Sequence, residues 1–370
     1  MTRLDSNIRR SLPFLPWMAA ALFLCCSSVV DKNSGDSGQS NTNDSSWSIP
    51  SSQVYVGAGR DAIPSIDVPK FSGVSEIDIL DSDDLVIAVK IGDEIKAYPH
   101  KILDYHEIVN DRIGGVPVSV TFCPLTGSGV VWKRMLDNQE TTFGVSGLIY
   151  KNNLIAYDRL SDSFWSQMKV QGVKGRFSGT TPETYPYIEI NWETWRQAYP
   201  DSKILSGETG FDRNYSVPAY GNYDTDHEDI LFPIENEDNR LDRKTLGHGL
   251  FYNTSLFVFP IREFPEEMTV LNRNIDGNEV VVAGSSKFDL VTSISRNVEE
   301  GTVLNFSKTS AAFPIIMEDQ EGNLWNVFGE AVSGPRIGQK LESVPSYNAF
   351  WFAWADFFGF GPKDPKIVIP

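Results

Sequence analysis

Hydrophobic and polar residues alternate most cleanly along 116–122, where Val116, Val118, Val120 and Phe122 interleave with Pro117, Ser119 and Thr121, and Cys123 follows. A strand sends successive side chains to opposite faces, so the spacing predicts one apolar face and one more polar face, with the thiol at the strand's end on the polar side. Short runs of the same kind occur at 86–89, 94–97, 129–134, 141–145, 154–157 and 163–167, separated by Gly, Asp and Asn turn signals. One helical interval interrupts them. Ile102, Tyr105, His106 and Val109 recur at helical spacing after Pro99, and Asn110, Asp111, Gly114 and Gly115 read as its stop. The expected fold class is α+β and β-rich, built of short, mostly antiparallel strands.

The pattern recurs further along the chain. Residues 86–103 align with 247–264, which sets Ala97-Tyr98-Pro99 on Val258-Phe259-Pro260. Gly114-Gly115-Val116 falls near Asp276-Gly277-Asn278, residues 157–167 fall on 316–326 with Trp165 opposite Trp325, and 195–205 resembles 354–368. Two related repeats are therefore expected, at 51–210 and 241–370, each with a short helix and joined by an acidic connector at 211–240. Where the first repeat has His100, His106 and Cys123, the second has Ile261, Glu267 and about Ser285. The scaffold is expected to be duplicated and the candidate site is not.

Composition adds outer bounds. With 370 residues, 41% of them hydrophobic and 12% aromatic, the chain can bury a substantial core. A formal charge of -17 argues against nucleic acid, which requires clustered Lys and Arg to neutralise phosphates. Arg3, Arg9 and Arg10 precede an apolar run at 14–24 that ends at Cys25 and Cys26, so residues 1–26 read as an export signal with lipid attachment at Cys25 or Cys26. The expected location is the bacterial cell envelope, on a membrane facing the periplasm or the exterior. Residues 27–50, rich in Ser, Asn, Gly and Asp, read as a flexible polar tether, with folded structure beginning near 47–54. Cys123 is then the single thiol of the mature protein and has no internal disulfide partner.

The candidate chemistry converges on 98–127. That stretch holds His100, His106 and Cys123, and thiolate with imidazole is a donor set for soft or borderline metals or for an activated nucleophile. Pro124 ends the strand after the thiol, and Thr126-Gly127-Ser128 makes a loop whose amides face an anion or thiolate. Each residue has a plainer reading too. Cys123 reads equally as a buried, inert thiol, His106 as a core histidine bonded to backbone, and His100 as a surface loop residue. Met168, beside Trp165 and Gln167, is a further soft ligand or a core residue, and His227 and His248 are expected in connector or solvent contacts. G-x-S-x-G, H-E-x-x-H, Walker and dinucleotide glycine patterns are absent from the sequence.

Residues YPHKILDYHEIVND, GGVPVSVTFCPLTGSGVVW, TFGVSGLIYKNNLIAYDR and SFWSQ resemble the successive motifs of the bacterial and archaeal family called domain of unknown function 3179. The resemblance covers about 75–358. It implies a shared fold and weight on Tyr98, Pro99, His106, Glu107, Cys123, Pro124, Gly127, Gly144, Tyr157, Asp158, Arg159, Trp165 and Gln167. Many members carry C-P-x-C where this chain has Thr126, so a dithiol role is weakened and the single thiol with His106 is the stronger pair. Three readings compete. The first is a metal site, copper ahead of zinc, with Cys123 and His106 as ligands and His100 or Met168 completing the set. The second is redox or nucleophilic chemistry at Cys123, with His106 as base and Glu107 or Gln167 orienting the pair. The third is a non-catalytic surface module that binds a small ligand or an envelope protein.

Overall fold

The computed structural model describes residues 46–252, 255–298 and 301–359, with the backbone of 366–367. The expected export signal, and the expected tether up to residue 45, lie outside the described residues. The segment Asn43–Pro370 forms one compact unit. Its described residues are β-rich and mostly antiparallel, with three short α-helices, α1 (His100–His106), α2 (Trp192–Ala198) and α3 (Trp351–Phe358).

Every run expected to be a strand overlaps an observed one: Leu85–Ile91, Glu94–Pro99, Val116–Cys123, Ser128–Lys133, Phe143–Tyr150, Asn153–Asp158 and Phe164–Ser166. The helix ends earlier than its spacing predicts. Glu107 turns out of α1 with φ +56°, and Ile108 and Val109 instead begin the strand Ile108–Ile113, pairing with Thr121 and Val120. Two β-branched residues in sequence favour that exchange, because they lose rotamer freedom in a helix and pack well on a pleated sheet.

Three sheets organise the first half. The hairpin Leu85–Ile91 and Glu94–Pro99 is flanked by Ile188–Asn191 on one side, and by Lys203–Leu205 and then Phe71–Gly73 on the other. Ile108–Ile113, Val116–Cys123, Ser128–Lys133 and Thr184–Tyr185 form the second sheet. Val54–Val56, Phe143–Tyr150, Asn153–Asp158, Phe164–Ser166 and Gln171–Lys174 form the third. In the second half, Leu246–Tyr252 and Ser255–Pro260 are flanked by Ser346–Phe350 and Lys366–Ile367. Thr269–Ile275, Asn278–Ser285 and Leu290–Ser295 make another sheet, and Phe306–Ser307, Ile315–Asp319, Leu324–Asn326 and Ala331–Ser333 a further one.

The halves use some of the same polar devices. Asn110 clamps the backbone of Phe143, donating from Nδ2 to the carbonyl at 2.8 Å and accepting the amide at 2.9 Å. Asn272 holds Phe306 in the same way, at 2.7 and 2.9 Å. Trp165 Nε1 donates to Asp158 and Trp325 Nε1 to Asp319, each at 2.9 Å. Each half has a short helix directly after a sheet strand, α2 after Ile188–Asn191 and α3 after Ser346–Phe350, but α1 has no α-helical counterpart among the described residues. Where α1 follows Pro99, the residues after Pro260 make only the 3-10 turn Ile261–Glu263. Pro265 accounts for this, since the residue before a proline is pushed out of the helical region.

The core is aromatic and continuous between the halves. Trp132, Phe143 and Trp165 share one buried cluster with Trp351 and Trp354 of α3. Cys123 and Met168 lie in that same cluster.

Candidate functional site

Cys123 ends the strand Val116–Cys123 and pairs with Ser128, so a four-residue loop from Pro124 to Gly127 closes the hairpin. Gly127 has φ +57°, and a Cβ there would meet the Phe350 ring at 2.9 Å. Only glycine fits that corner without strain. The strand's polar face is as buried as its apolar face, so Thr121 and Cys123 look into protein rather than water. Around the loop, Thr126, Ser128, Asn153 and Gln167 exchange hydrogen bonds of 2.7–3.2 Å and leave none of these four without a partner. Gln167 is committed to this network, reaching Thr121 at 3.1 Å and the Ser128 carbonyl at 2.9 Å. It does not orient a thiol–imidazole pair.

The Cys123 thiol is fully buried, with its Sγ 3.7 Å from the Asn152 carbonyl. Burial first, and then the charge of Glu107, push its pKa up to about 11, against smaller opposing contributions from Thr126 and Leu154. At neutral pH it is a thiol. Glu107, expected to orient a thiol–imidazole pair, is given a different part by its surroundings. Its backbone sits at φ +56°, a conformation that costs a non-glycine residue about 1–3 kcal/mol. The main chain there is pinned on both sides, by Glu107 N–H on the Leu103 carbonyl at 2.6 Å and by Phe122 N–H on the Glu107 carbonyl at 2.8 Å. The carboxyl is 3% exposed, and its Oε2 has no hydrogen-bond partner. Burial, then the charge of Asp104, raise its pKa to about 8. Asp104 is itself raised to about 7 by burial, Asp224 and Asp84.

Connector residues roof this group. The Tyr223 hydroxyl donates to the Leu125 carbonyl at 3.0 Å, and the Lys244 ammonium lies 3.0 Å from the Tyr223 ring centroid. Tyr220 and Tyr223 both feel the charge of Cys123, and Tyr220 that of Glu107 as well, which adds to burial in holding their hydroxyls protonated. The acidic connector is therefore part of the site's wall. Its aromatic content, Phe211, Tyr215, Tyr220, Tyr223 and Phe232, is the signal from which this could have been read.

His106 is directed elsewhere. Its Nδ1 lies 2.7 Å from the Pro64 carbonyl, an acceptor only, so Nδ1 carries the proton. Its Nε2 then accepts from the Tyr215 hydroxyl at 2.6 Å, and Thr209 contacts that hydroxyl at 2.5 Å. Burial lowers the pKa of His106, the Pro64 carbonyl partly opposes this, and both ring nitrogens are occupied.

Residues 60–361 match the family described as Protein of unknown function (DUF3179). The chain belongs to that family. No curated protein and no solved structure matches it.

In this DUF3179 chain the expected donors do not share one centre. His100 opens α1, packs at a tilt on Phe122 with ring centroids 4.1 Å apart, and places Nε2 4.0 Å from Glu189. Burial drives its pKa down to about 3. Met168 is committed to the core, its amide on Asn153 at 3.1 Å and its carbonyl accepting from Tyr347 at 2.6 Å. Among the described residues no group of three or more His, Cys, Asp or Glu side chains is arranged to hold a metal ion. The expectation that Cys123, His106, His100 and Met168 converge on copper meets this geometry at its weakest point, since His106 offers no free nitrogen. His227 is exposed and accepts the Lys244 amide at 3.1 Å. His248 is buried between Asn348 at 2.8 Å and Ser293 at 2.9 Å, not in solvent.

Proposed function

We propose that the protein is a thiol-dependent enzyme in which Cys123 is the nucleophile and Glu107 its proton acceptor, beneath a lid made by Tyr220 and Tyr223. The observation that carries this reading is the buried Glu107 carboxyl, with one oxygen unpartnered and a left-handed backbone bonded to Phe122, near enough for its charge to raise the pKa of the thiol. Strained backbone and a carboxyl tuned toward neutrality are both concentrated at catalytic sites. The carboxyl ionises at about 8 and the thiol at about 11, so the first anion to form is the carboxylate. Moving the thiol proton onto it spans about three pH units, about 4 kcal/mol, a cost within reach of catalysis. In the step, Glu107 accepts the proton, the Sγ lone pair forms a bond to an electrophilic carbon, and the leaving group departs with the proton that Glu107 returns. The described residues 206–245 contain no helix or strand. Loops of that length in a compact domain are commonly lids, and movement of this one would admit a substrate.

The test is the rate at which Cys123 reacts with iodoacetamide between pH 6 and 9, in wild type, Glu107→Gln and Tyr220→Ala. Wild-type labelling should climb through pH 8, Glu107→Gln should slow it at least tenfold at pH 8, and Tyr220→Ala should speed it. Equal rates in wild type and Glu107→Gln would remove Glu107 from the chemistry.

Two further readings accompany this one. The halves 51–210 and 241–370 are taken as a duplicated unit, supported by the paired Asn–Phe clamps and Trp–Asp bonds. Export and lipid anchoring at Cys25 or Cys26 rest on the charged and apolar pattern of residues 1–26. They place the thiol on the outer side of a bacterial membrane.

A further inference from the structure

In the first half, the chain covers the outer edge of Ile108–Ile113 with its own backbone. Asp61 N–H donates to the Val145 carbonyl at 2.9 Å, Ile66 N–H to the Ile108 carbonyl at 2.9 Å, and Asn110 N–H to the Ile66 carbonyl at 2.8 Å. Residues 61–66 thus run between that edge and the strand Phe143–Tyr150, with Ile66 parallel to Val109 and 1% exposed. The covered strand is buried at all but one of its residues.

The matching edge in the second half is bare. Both hairpins turn through two residues, so Ile275 and Asn278 hold the register places of Ile113 and Val116, and Val270 and Asn272 those of Ile108 and Asn110. Phe306 stands where Phe143 stands, by its clamp to Asn272. Among the described residues no strand pairs with the outer edge of Thr269–Ile275, and all but one of its residues are partly or fully exposed. In place of an occupant there is a groove of about 770 Å³ lined by Glu266, Met268, Val270, Phe306, Ser307 and Lys308, among others.

We propose that this groove is a strand-addition site for an extended segment of a partner protein. That segment runs parallel to Thr269–Ile275 and places a β-branched apolar side chain where Ile66 sits in the first half. An unpaired edge is a template for backbone pairing, and alternate side chains of the added strand select the partner. Lys308 and Glu267 pair with each other at 3.4 Å, and half-buried Met268 and Val270 offer the groove's apolar surface beside Glu266. A second copy is the poorer occupant. Its residues 61–66 are already engaged, and a two-fold axis relating two identical edges would make them antiparallel, whereas the observed occupant of the matching edge is parallel. The proposal is independent of the thiol reading.

The probe is a synthetic peptide of residues 60–68, RDAIPSIDV, with a scrambled peptide as control, added to the full chain and followed by amide hydrogen exchange and fluorescence anisotropy. Exchange should slow at least tenfold over 269–273, including the Asn272 amide, with saturable binding that Val270→Pro and Ser307→Lys each weaken at least tenfold. The Val270 N–H points away from the sheet, so proline there breaks no ladder bond, and exposed Ser307 gives a second variant that leaves the fold intact. Equal effects of the two peptides, or no protection at millimolar peptide, would overturn the proposal. So would a monomer whose edge amides are slow before peptide is added, which assigns the edge to the chain itself. A dimer that Val270→Pro dissolves would assign it to a second copy.

Discussion

Glu107→Gln should flatten the dependence of stability on pH. Burial lifts the Glu107 carboxyl from an ordinary 4.5 to about 8, so the folded state holds a proton that the unfolded chain has released through most of that interval. A folded pKa above the unfolded one contributes stability that is complete below 4.5 and drains away as pH rises through 8. At 1.36 kcal/mol per pH unit, the loss between pH 5 and 8 is about 3–4 kcal/mol, with little discount for solvent because the residue is 3% exposed. Glutamine keeps the shape, stays neutral and removes the whole contribution. Guanidinium unfolding at pH 5, 6, 7 and 8 measures it: the wild-type midpoint should fall with pH, and the variant's should fall less, by an amount equivalent to those 3–4 kcal/mol. Asp104 and Glu189, each raised to about 7, give both proteins a shared downward slope, so the difference between the curves is the quantity that counts. Parallel curves would refute the idea that Glu107 is buried as a neutral acid, and with it the proton acceptor proposed for Cys123.

Gly127→Ala should cost about 1–3 kcal/mol by chemical denaturation, because its φ of +57° and the Phe350 ring at 2.9 Å both oppose a Cβ. Tyr215→Phe should cost a similar 1–3 kcal/mol, as it leaves the buried His106 Nε2 without its donor; a neutral result would mean that water satisfies that nitrogen. Asp158→Ala and Asp319→Ala should each lower stability by about 2–3 kcal/mol by stranding a buried indole N–H, and the two losses should be similar if the Trp–Asp bond does the same work in both halves. After exposure to copper or zinc and washing, wild type and Cys123→Ser should retain equally little metal; near-stoichiometric metal that leaves with the thiol would restore the ligand reading over the acid–base one.

Periodicity located the strands well because both of its requirements were local. The run 116–122 alternates, its neighbours are bounded by Gly, Asp and Asn, and Val116–Cys123 pairs at each of those turns. The helix boundary was misread because Val109 satisfied a helical spacing while, with β-branched Ile108, it pairs with Val120 and Thr121 across the Gly114-Gly115 hairpin. The candidate site was half legible. Cys123 and its loop could be placed from the chain, since Pro124 and Gly127 mark a turn. The chain could not show that His106 would spend both nitrogens on Pro64 and Tyr215, because the partners lie 42 and 109 residues away. The motif marked Glu107 only as an orienting residue, because its burial, backbone angle and unpartnered oxygen are set by the fold.

The two halves then sharpen what the thiol is for. If the unit was duplicated, the hairpin that ends at Cys123 corresponds to the one that ends at Ser285, since the first pairs with Ser128 and the second with Leu290. Ser285 is also fully buried, and its hydroxyl donates to the Glu266 carbonyl at 2.5 Å. A buried polar atom at this corner is thus tolerated when its hydrogen bond is supplied locally. Cys123 has a long 3.7 Å contact with the Asn152 carbonyl and hydrogen bonds from Thr126 and Leu154 that favour its thiolate, while Glu107 keeps a buried oxygen with none. Packing alone would favour the satisfied arrangement, because an unpaired buried polar group costs about 1–3 kcal/mol. The first half keeps the costlier one, adds a strained residue beside it, and roofs it with connector tyrosines that have no strand or helix to hold them. At this corner an unpartnered carboxyl oxygen, a left-handed Glu107 and a buried thiol come together, and that combination is what the proposed acid–base chemistry calls for.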